Sequence, residues 1–175
     1  CLARERLGHA SPLIELAFAM QGLGSYAISA HGDADQRAET FVSEHPREPV
    51  GRDVRNAWLL SLATRLQWPK FLEHYRDEWA NDTLRCHSFT ARIAQGQTQD
   101  LALDVARQWL TPSSLMECEP AFDWLRNEKA LTPELIEQRV RLAIEFNNTS
   151  FAKQIAAQLP AERRAPLLRW AALIE

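Results

Sequence analysis

The sequence predicts an all-α fold, an irregular α-superhelix (solenoid) of short antiparallel helix pairs. Three observations support this prediction: apolar residues recur at helical spacing, predicted helices begin about every 15 residues, and Pro, Gly and Asn residues fall between them. Isolated helices of fewer than roughly 12–15 residues are marginal in water, so these helices must pack on one another. A helix pair about every 30 residues is close to the period of helical-repeat solenoids.

Composition and charge indicate a soluble globular chain without a nucleic-acid partner. Hydrophobic residues make up 46% of the 175 residues, which is enough for a packed core. The 20 Lys and Arg residues are outnumbered by 23 Asp and Glu residues, for a formal net charge of −3. No long basic run offers the surface that nucleic acids require.

The amino-terminal residues predict a first helix at 13–20 and no membrane span. This apolar stretch follows Ser11-Pro12, a cap and a Pro suited to the first helical position. It is much shorter than the roughly 20 residues that cross a bilayer, and we expect no signal peptide within this sequence. The chain opens on Cys1 without a Met, so we expect a processed or trimmed edge; a lipid-modified bacterial lipoprotein is the alternative.

Gly and Pro residues then divide the chain into predicted helices. Gly22, Gly24 and Gly32 predict a mobile stretch before a second helix at 33–44. The Pro residues of segment 45–49 end that helix and mark the predicted internal boundary, because Pro lacks a backbone donor and disfavours helix in the residue before it. Apolar spacing predicts the further helices 53–66, 69–79, 82–94, 99–110, 114–126, 133–146, 149–159 and 161–174.

Capping residues support these helix ends. Thr132-Pro133-Glu134 combines a cap, a Pro in the first turn and an acid near the positive end of the helix dipole. Asn147-Asn148 can close the preceding helix in the left-handed conformation. Asn81, Asn147 and Asn148 also satisfy the glycosylation pattern, but each falls where a helix needs a cap. We interpret all three as caps.

Six Trp residues are many for this length, and an indole face can stack on a sugar ring. Trp58, Trp109 and Trp124 lie on apolar helix faces and are predicted to be core, because large aromatic side chains dominate burial energetics. Trp68 and Trp79 flank one predicted helix. These two are the aromatic candidates for ligand contact.

The carboxylates lack the neighbours of a catalytic acid. A glycosidase or lyase needs an acid with a raised pKa in a cleft. The candidates are Glu73, Asp77, Glu78, Glu117 and Glu119. Glu73 and Asp77 are four residues apart, an arrangement typical of a solvated helix face, and Glu117 and Glu119 have no adjacent Ser, His or Gly-rich loop. The sequence predicts no catalytic residue.

The His and Cys residues show no metal-ligand spacing. The sequence contains no His-Glu-x-x-His motif, and Cys86-His87 with Cys118 lacks a Cys-x-x-Cys partner. We predict neither a metal site nor a cofactor.

Several segments together resemble the long helical domain of the soluble lytic murein transglycosylases. They are residues 85–92 (RCHSFTAR), 95–97 (QGQ), 118–125 (CEPAFDWL), 137–143 (EQRVRLA) and 156–160 (AAQLP). The most specific feature is the order Cys, Gly, Cys, Arg-x-Arg-x-Ala, Leu-Pro. The resemblance covers residues 38–160 and fades towards the amino terminus.

The resemblance implies a periplasmic domain that does not itself cleave. In the family, a superhelical, U-shaped body of short helices carries a separate C-terminal goose-lysozyme-like domain, which cleaves the glycan strands of peptidoglycan without water. That domain needs a Glu-Ser pair followed by Gly-Leu-Met-Gln, and neither motif occurs here. We expect residues 1–175 to be one superhelical domain, the N-terminal part of a longer chain.

Two functions fit this expectation. The first is a scaffold that positions the catalytic domain of the same chain on peptidoglycan, with Trp68, Trp79, Arg139 and Arg141 as candidate contacts to glycan or peptide stems. The second is a helical-repeat adaptor that binds another protein in its concave face. Both functions use the same fold.

The resemblance also implies a disulfide between Cys86 and Cys118. The two fall at the family's cysteine positions, and the periplasm is oxidising. Each lies in a predicted helix on either side of the 99–110 helix, so alternate helices of a stack could bring them together. The alternative is two buried thiols in a cytosolic repeat protein.

Overall fold

The computed structural model describes residues 28–174, with side chains from residue 32, and this part of the chain is α-helical without a β-strand. Its nine α-helices are α1 Ile28–Glu44, α2 Pro49–Thr64, α3 Trp68–His74, α4 Asp82–Ala94, α5 Leu101–Trp109, α6 Glu119–Asn127, α7 Pro133–Glu145, α8 Thr149–Ala156 and α9 Ala161–Ile174. Single 3₁₀ turns lie at Asp77–Trp79 and Met116–Cys118. The predicted all-α class is confirmed for the described residues.

Helix ends agree with the prediction where the local capping signal is strong. α4 and α9 have the predicted bounds, and α7 begins at Pro133 with the Thr132 hydroxyl accepting a hydrogen bond from the Leu135 amide at 3.3 Å. Asn147 closes α7 with a φ of 63°, in the left-handed region. Asn side chains cap the starts of α4 and α8. Asn81 Oδ1 accepts a hydrogen bond from the Leu84 amide at 2.9 Å, and Asn148 Oδ1 accepts one from the Phe151 amide at 3.4 Å. The interpretation of these Asn residues as caps is confirmed.

Several predicted helix boundaries are wrong, and α2 begins at Pro49 where the prediction placed its start at residue 53. α1 begins at Ile28 and includes Gly32, which was assigned to a mobile stretch. The predicted helix 69–79 ends at His74, because Tyr75 adopts extended backbone and only a 3₁₀ turn follows. The predicted helix 114–126 begins at Glu119, so Cys118 lies in a 3₁₀ turn at its start. The predicted helix 13–20 lies outside the described residues.

The chain divides into two compact units after Ala91, in the last turn of α4. The predicted boundary at residues 45–49 is instead the turn that joins α1 to α2 within the first unit. The single superhelical domain expected from the sequence stays a prediction.

The first unit has a core around Trp58, where α1 packs on α2 and α2 on α3. Its buried members are Ala38, Trp58, Leu59, Leu62, Ala63, Phe71, Leu84 and Ala91. The turn between α1 and α2 is close: a Cβ on Gly51 would lie 1.8 Å from the His45 carbonyl oxygen. Only a glycine therefore fits at that position of α2.

The second unit is built on α7, which packs on α5, α8 and α9, while α5 also packs on α6. Trp109 and Phe122 meet edge to face in its core, with ring centroids 5.0 Å apart. The Trp109 Nε1 donates to the Leu135 carbonyl at 3.2 Å. Trp58 and Trp109 are core residues as predicted, whereas Trp124 is half-buried. Of the described helices, none combines the length and apolar character that crossing a bilayer requires.

Candidate binding groove at Trp79

A polar groove of about 390 Å³ lies beside Trp79 in the first unit. One wall is α2, and the other is the 3₁₀ turn Asp77–Trp79 together with the segment that joins it to α4. The lining residues are Arg52, Asp53, Asn56, Glu78, Trp79, Ala80 and Asn81. Arg52 and Asn56 are one helical turn apart, so α2 presents both to the same side.

The Trp79 ring is supported by a buried cation. Arg55 is only 6% exposed, and the centre of its guanidinium lies 4.5 Å from the Trp79 ring centroid. This distance is that of a cation–π contact. Arg55 does not line the groove, so the indole surface inside the groove is one that Arg55 leaves uncovered.

The charge of Arg55 is incompletely compensated. Burial, and then the like charge of Arg76, lowers the pKa of Arg55, while the carboxylate of Glu78 acts in the opposite direction. The Arg55 Nη1 atom is buried and has no hydrogen-bond partner within the described chain. The ring of Trp79 is thus one group that faces this guanidinium.

The polar side chains of the groove are available to a ligand. Within the described part of the protein, the side chains of Arg52, Asp53, Asn56 and Glu78 make no hydrogen bond or ion pair. Asn81 uses its Oδ1 to cap α4, which leaves its amide donors. The groove thus offers both donors and acceptors next to an aromatic surface.

The second aromatic candidate lies elsewhere. Trp68 is half-buried and meets Phe71 edge to face, with centroids 6.1 Å apart. It packs against the core of the first unit and is not among the residues that line the groove. Of the two Trp residues proposed from the sequence, Trp79 is the one that a ligand in the groove would touch.

The two Arg candidates, Arg139 and Arg141, differ in burial. Arg139 is 2% exposed, with its guanidinium 4.2 Å from the Trp109 centroid and 5.0 Å from that of Phe151. It donates to the carbonyls of Thr111 at 3.2 Å and Ser113 at 3.0 Å. Two residues later on α7, Arg141 is exposed. Residues two apart on a helix point in nearly opposite directions, which is why one Arg is buried and the other exposed. Arg139 therefore lacks the surface position that a ligand contact needs.

The acids of the described chain whose pKa values are clearly shifted include Asp77 and Glu39, and both are shifted downwards. A hydrogen bond from the Tyr75 hydroxyl, at 2.8 Å, is the main cause at Asp77. At Glu39 the main cause is the hydrogen bond from Lys70. Burial raises the pKa of Tyr75 itself to about 12, so this hydroxyl stays protonated. A general acid at neutral pH needs the opposite shift in a carboxyl group.

Ligand atoms of Glu39, Glu73 and His74 lie within 4.8 Å of one another, as in an open metal site. The Lys70 Nζ, however, lies 2.8 Å from one Glu39 oxygen, and the His74 Nε2 lies 3.3 Å from the other. The Lys70 ammonium already supplies the positive charge that a metal would bring. We therefore regard this group as an ion-pair cluster.

The sequence analysis missed the buried Arg55 and the polar wall of α2. One signal was present: Arg55 precedes Trp58, Leu59 and Leu62 by three, four and seven residues, which are core-facing positions of one helix. The neighbourhood of Asn56 and Glu78, by contrast, exists only in the folded chain.

Cys86 in the first unit and Cys118 in the second are both fully buried, and both are disulfide-bonded. The oxidised state implied by the family resemblance is therefore present at both predicted residues.

The sequence is similar to curated lytic transglycosylases, although no protein-family model matches it. Over 123 residues, or 70% of this chain, it is 28% identical to the soluble lytic murein transglycosylase of Salmonella typhimurium. The corresponding protein of Escherichia coli K12 is 26% identical over the same length. Each match covers 19% of the relative, so the chain spans about a fifth of their length.

Solved structures of lytic transglycosylases share the fold. The 70-kDa soluble lytic transglycosylase of E. coli aligns with a TM-score of 0.75 at 20% identity, over 99% of this chain and 26% of that protein. An inactive mutant of the lytic transglycosylase of Pseudomonas aeruginosa aligns with a TM-score of 0.71 at 23% identity, over 95% of this chain and 28% of that protein. The resemblance predicted from the sequence, and the fold class that it implied, are confirmed.

Proposed function

We propose that this chain, a relative of the soluble lytic murein transglycosylases, is a non-catalytic helical scaffold that acts on peptidoglycan in the bacterial periplasm. It positions a glycan-cleaving, goose-lysozyme-like domain of the same protein on the murein. The observation that supports this most strongly is the similarity over 123 residues to proteins named for that activity. Because the chain spans only about a fifth of those relatives, we assign cleavage to another part of the protein.

Two features of the described residues support a scaffold role. The shifted acids Asp35, Glu39, Asp77 and Glu134 all have lowered pKa values, which suits ion pairs and caps and not proton donation at neutral pH. The groove at Trp79 supplies a surface on which a murein strand or stem can bind. The exposed Arg141 is a second proposed contact, on the other unit.

Sedimentation with purified murein sacculi tests the proposal. We expect the 175-residue chain to co-sediment with sacculi and to release no anhydromuropeptides from them, since its proposed role is binding alone. A chain that stays in the supernatant would overturn the scaffold role. Release of anhydromuropeptides by this chain alone would overturn its assignment as non-catalytic.

A helical-repeat adaptor that binds another protein is the second candidate. It is favoured by large apolar side chains on the second unit, where Met116 is 79% exposed, Phe146 66% and Leu103 58%. Single exposed apolar residues are common on protein surfaces, so they weigh less than the family relationship. Failure to bind sacculi, together with saturable binding of a purified protein partner that Phe146→Ser weakens, would favour the adaptor.

A further inference from the structure

We propose that the Trp79 groove binds a neutral pyranose ring, so that this part of the chain recognises the sugar strand of murein and not its acidic peptide stems. This inference rests on the proposed function and makes its ligand specific. It follows from the support of the indole ring, the pattern of hydrogen-bonding groups and the charge of the lining residues.

The aromatic surface is held in place before a ligand arrives. The guanidinium of the buried Arg55 lies over the Trp79 ring, 4.5 Å from its centroid, which restricts rotation of the indole. A supported ring has less side-chain freedom to lose on binding. The C–H face of a pyranose is apolar and suits an indole surface, whose negative face attracts the slightly positive hydrogens.

The surrounding polar groups match sugar hydroxyls. A hydroxyl donates one hydrogen bond and accepts others, so a saccharide needs donors and acceptors side by side. Arg52 supplies donors, Asp53 and Glu78 supply acceptors, and the Asn56 amide supplies both. The volume of about 390 Å³ falls within the range of roughly 300–1,000 Å³ of small-ligand sites.

The charge of the lining favours a neutral ligand. Asp53 and Glu78 place two carboxylates at the groove, against one guanidinium from Arg52. The stem-peptide carboxylates would meet like charges there, whereas an uncharged sugar would not. The Arg55 guanidinium, 4.5 Å from the Trp79 centroid, does not line the groove and offers no direct partner there to a stem carboxylate.

Titration of the 175-residue chain with two probes tests the inference. The probes are a neutral β-1,4-linked N-acetylglucosamine tetramer and a free stem tetrapeptide, followed by calorimetry or by NMR of the indole N–H signals. We expect the tetramer to bind saturably and the peptide to bind at least about tenfold more weakly than the tetramer. Trp79→Ala should weaken tetramer binding at least about tenfold, and Asn56→Ala about fivefold, the usual range for a stacking ring and one hydrogen bond.

Trp124→Ala is the matched control, since it removes a half-buried indole from the second unit; tetramer affinity should stay within about twofold. Circular dichroism checks the fold of each variant, and if Trp79→Ala does not fold, Asn56→Ala decides. Preferential binding of the peptide, or tetramer binding that Asn56→Ala leaves unchanged, would overturn the inference. Retained co-sedimentation with sacculi in that case would leave the proposed function standing, whereas loss of both bindings would remove both.

Discussion

Arg139 is a charged residue inside the core of the second unit, and its neighbours offset much of the cost of burying it. Aromatic rings of Trp109, Phe122 and Phe151 lie within 5.1 Å of the guanidinium centre. Two carbonyls of segment 111–113 accept its hydrogen bonds. Burial lowers the pKa of Arg139 to about 10, so the guanidinium is still charged at neutral pH. The residue ties the 111–113 segment to α7.

Arg139→Ala should therefore destabilise the chain strongly. It leaves a cavity between aromatic rings and removes the hydrogen bonds to the carbonyls of Thr111 and Ser113, and we expect a loss of about 3 kcal/mol in the free energy of unfolding. Urea titration followed by circular dichroism measures the change. Arg141→Ala removes the same side chain from an exposed position of α7 and should change stability by less than about 0.5 kcal/mol. Similar losses in the two variants would contradict the structural role of Arg139.

Asp35 joins α1 to α2 through hydrogen bonds that the sequence analysis did not identify. Its carboxylate accepts from the Trp58 Nε1 at 2.8 Å and from both terminal nitrogens of Arg65 at 2.9 and 2.7 Å. Burial raises the pKa of Asp35, but the hydrogen bonds from Arg65 and Trp58 outweigh it, and the pKa lies below its ordinary value of 3.8. The ionised form is thus the stabilising one.

Because the pKa of Asp35 is lowered in the folded state, the contribution of Asp35 to the free energy of unfolding depends on pH. It is fully present above pH 3.8 and is lost as the pH falls through the lower folded-state pKa. Asp35→Asn should cost about 1–3 kcal/mol at pH 7 and should lose less stability than wild type between pH 7 and pH 2.5. Urea midpoints at the two pH values measure both effects. Asp53→Asn, a substitution at an exposed position of α2, is the control and should lose as much stability in acid as the wild type does. An Asp35→Asn variant with the same loss in acid would contradict the stabilising role of the Asp35 carboxylate.

At the scale of the helices, local signals predict the boundaries that depend on the chain itself. Thr132-Pro133, Asn147 and Asn148 act within their own helix ends, so spacing and residue type were enough. The end of α3 depends instead on packing. The Tyr75 ring stacks on Phe71, with centroids 5.7 Å apart, and the Tyr75 hydroxyl donates a hydrogen bond to the Asp77 carboxylate. Helix α1 runs through Gly32 because helix propensity is a weak preference, and one Gly costs a helix only about 1 kcal/mol.

The two helical glycines should respond to the same substitution in opposite directions. Gly51→Ala would place a methyl group 1.8 Å from the His45 carbonyl oxygen, so the α1–α2 turn must shift, and we expect a loss of about 2 kcal/mol or more. Around Gly32, no atom of the described chain outside the local helix backbone lies within 4 Å of the methyl group that Gly32→Ala adds, and this change should stabilise α1 by about 0.5–1 kcal/mol. Thermal and urea unfolding measure both variants. A neutral Gly51→Ala would mean that the turn is looser than the structure describes.

At the scale of the whole molecule, the resemblance to lytic transglycosylases could be recognised from the sequence because short motifs keep their order along the chain. The same motifs could not show burial: Arg139 and Arg141 belong to one Arg-x-Arg-x-Ala motif, yet one is core and the other exposed. Trp79 was identified as a ligand candidate from its residue type and its place at the end of a predicted helix. Its groove could not be predicted, because Asn56 and Glu78 are far apart in sequence and meet only after α2 and the 3₁₀ turn have packed.

Oxidation at Cys86 and Cys118 is the feature that connects fold stability to cellular compartment. Both residues are fully buried and disulfide-bonded, and we expect peptide mapping of the unreduced protein to find them in one linked peptide pair. By the chain-entropy estimate, a crosslink that closes a loop of this length stabilises a fold by roughly 3–4 kcal/mol, a large share of the ~5–15 of a typical domain. Reduction with dithiothreitol, or the paired change Cys86→Ser with Cys118→Ser, should lower the free energy of unfolding by that amount. Two titratable thiols at these positions in unreduced protein, or linkage of either to Cys1, would contradict the pairing and would also weaken the proposed periplasmic location, where such bonds persist.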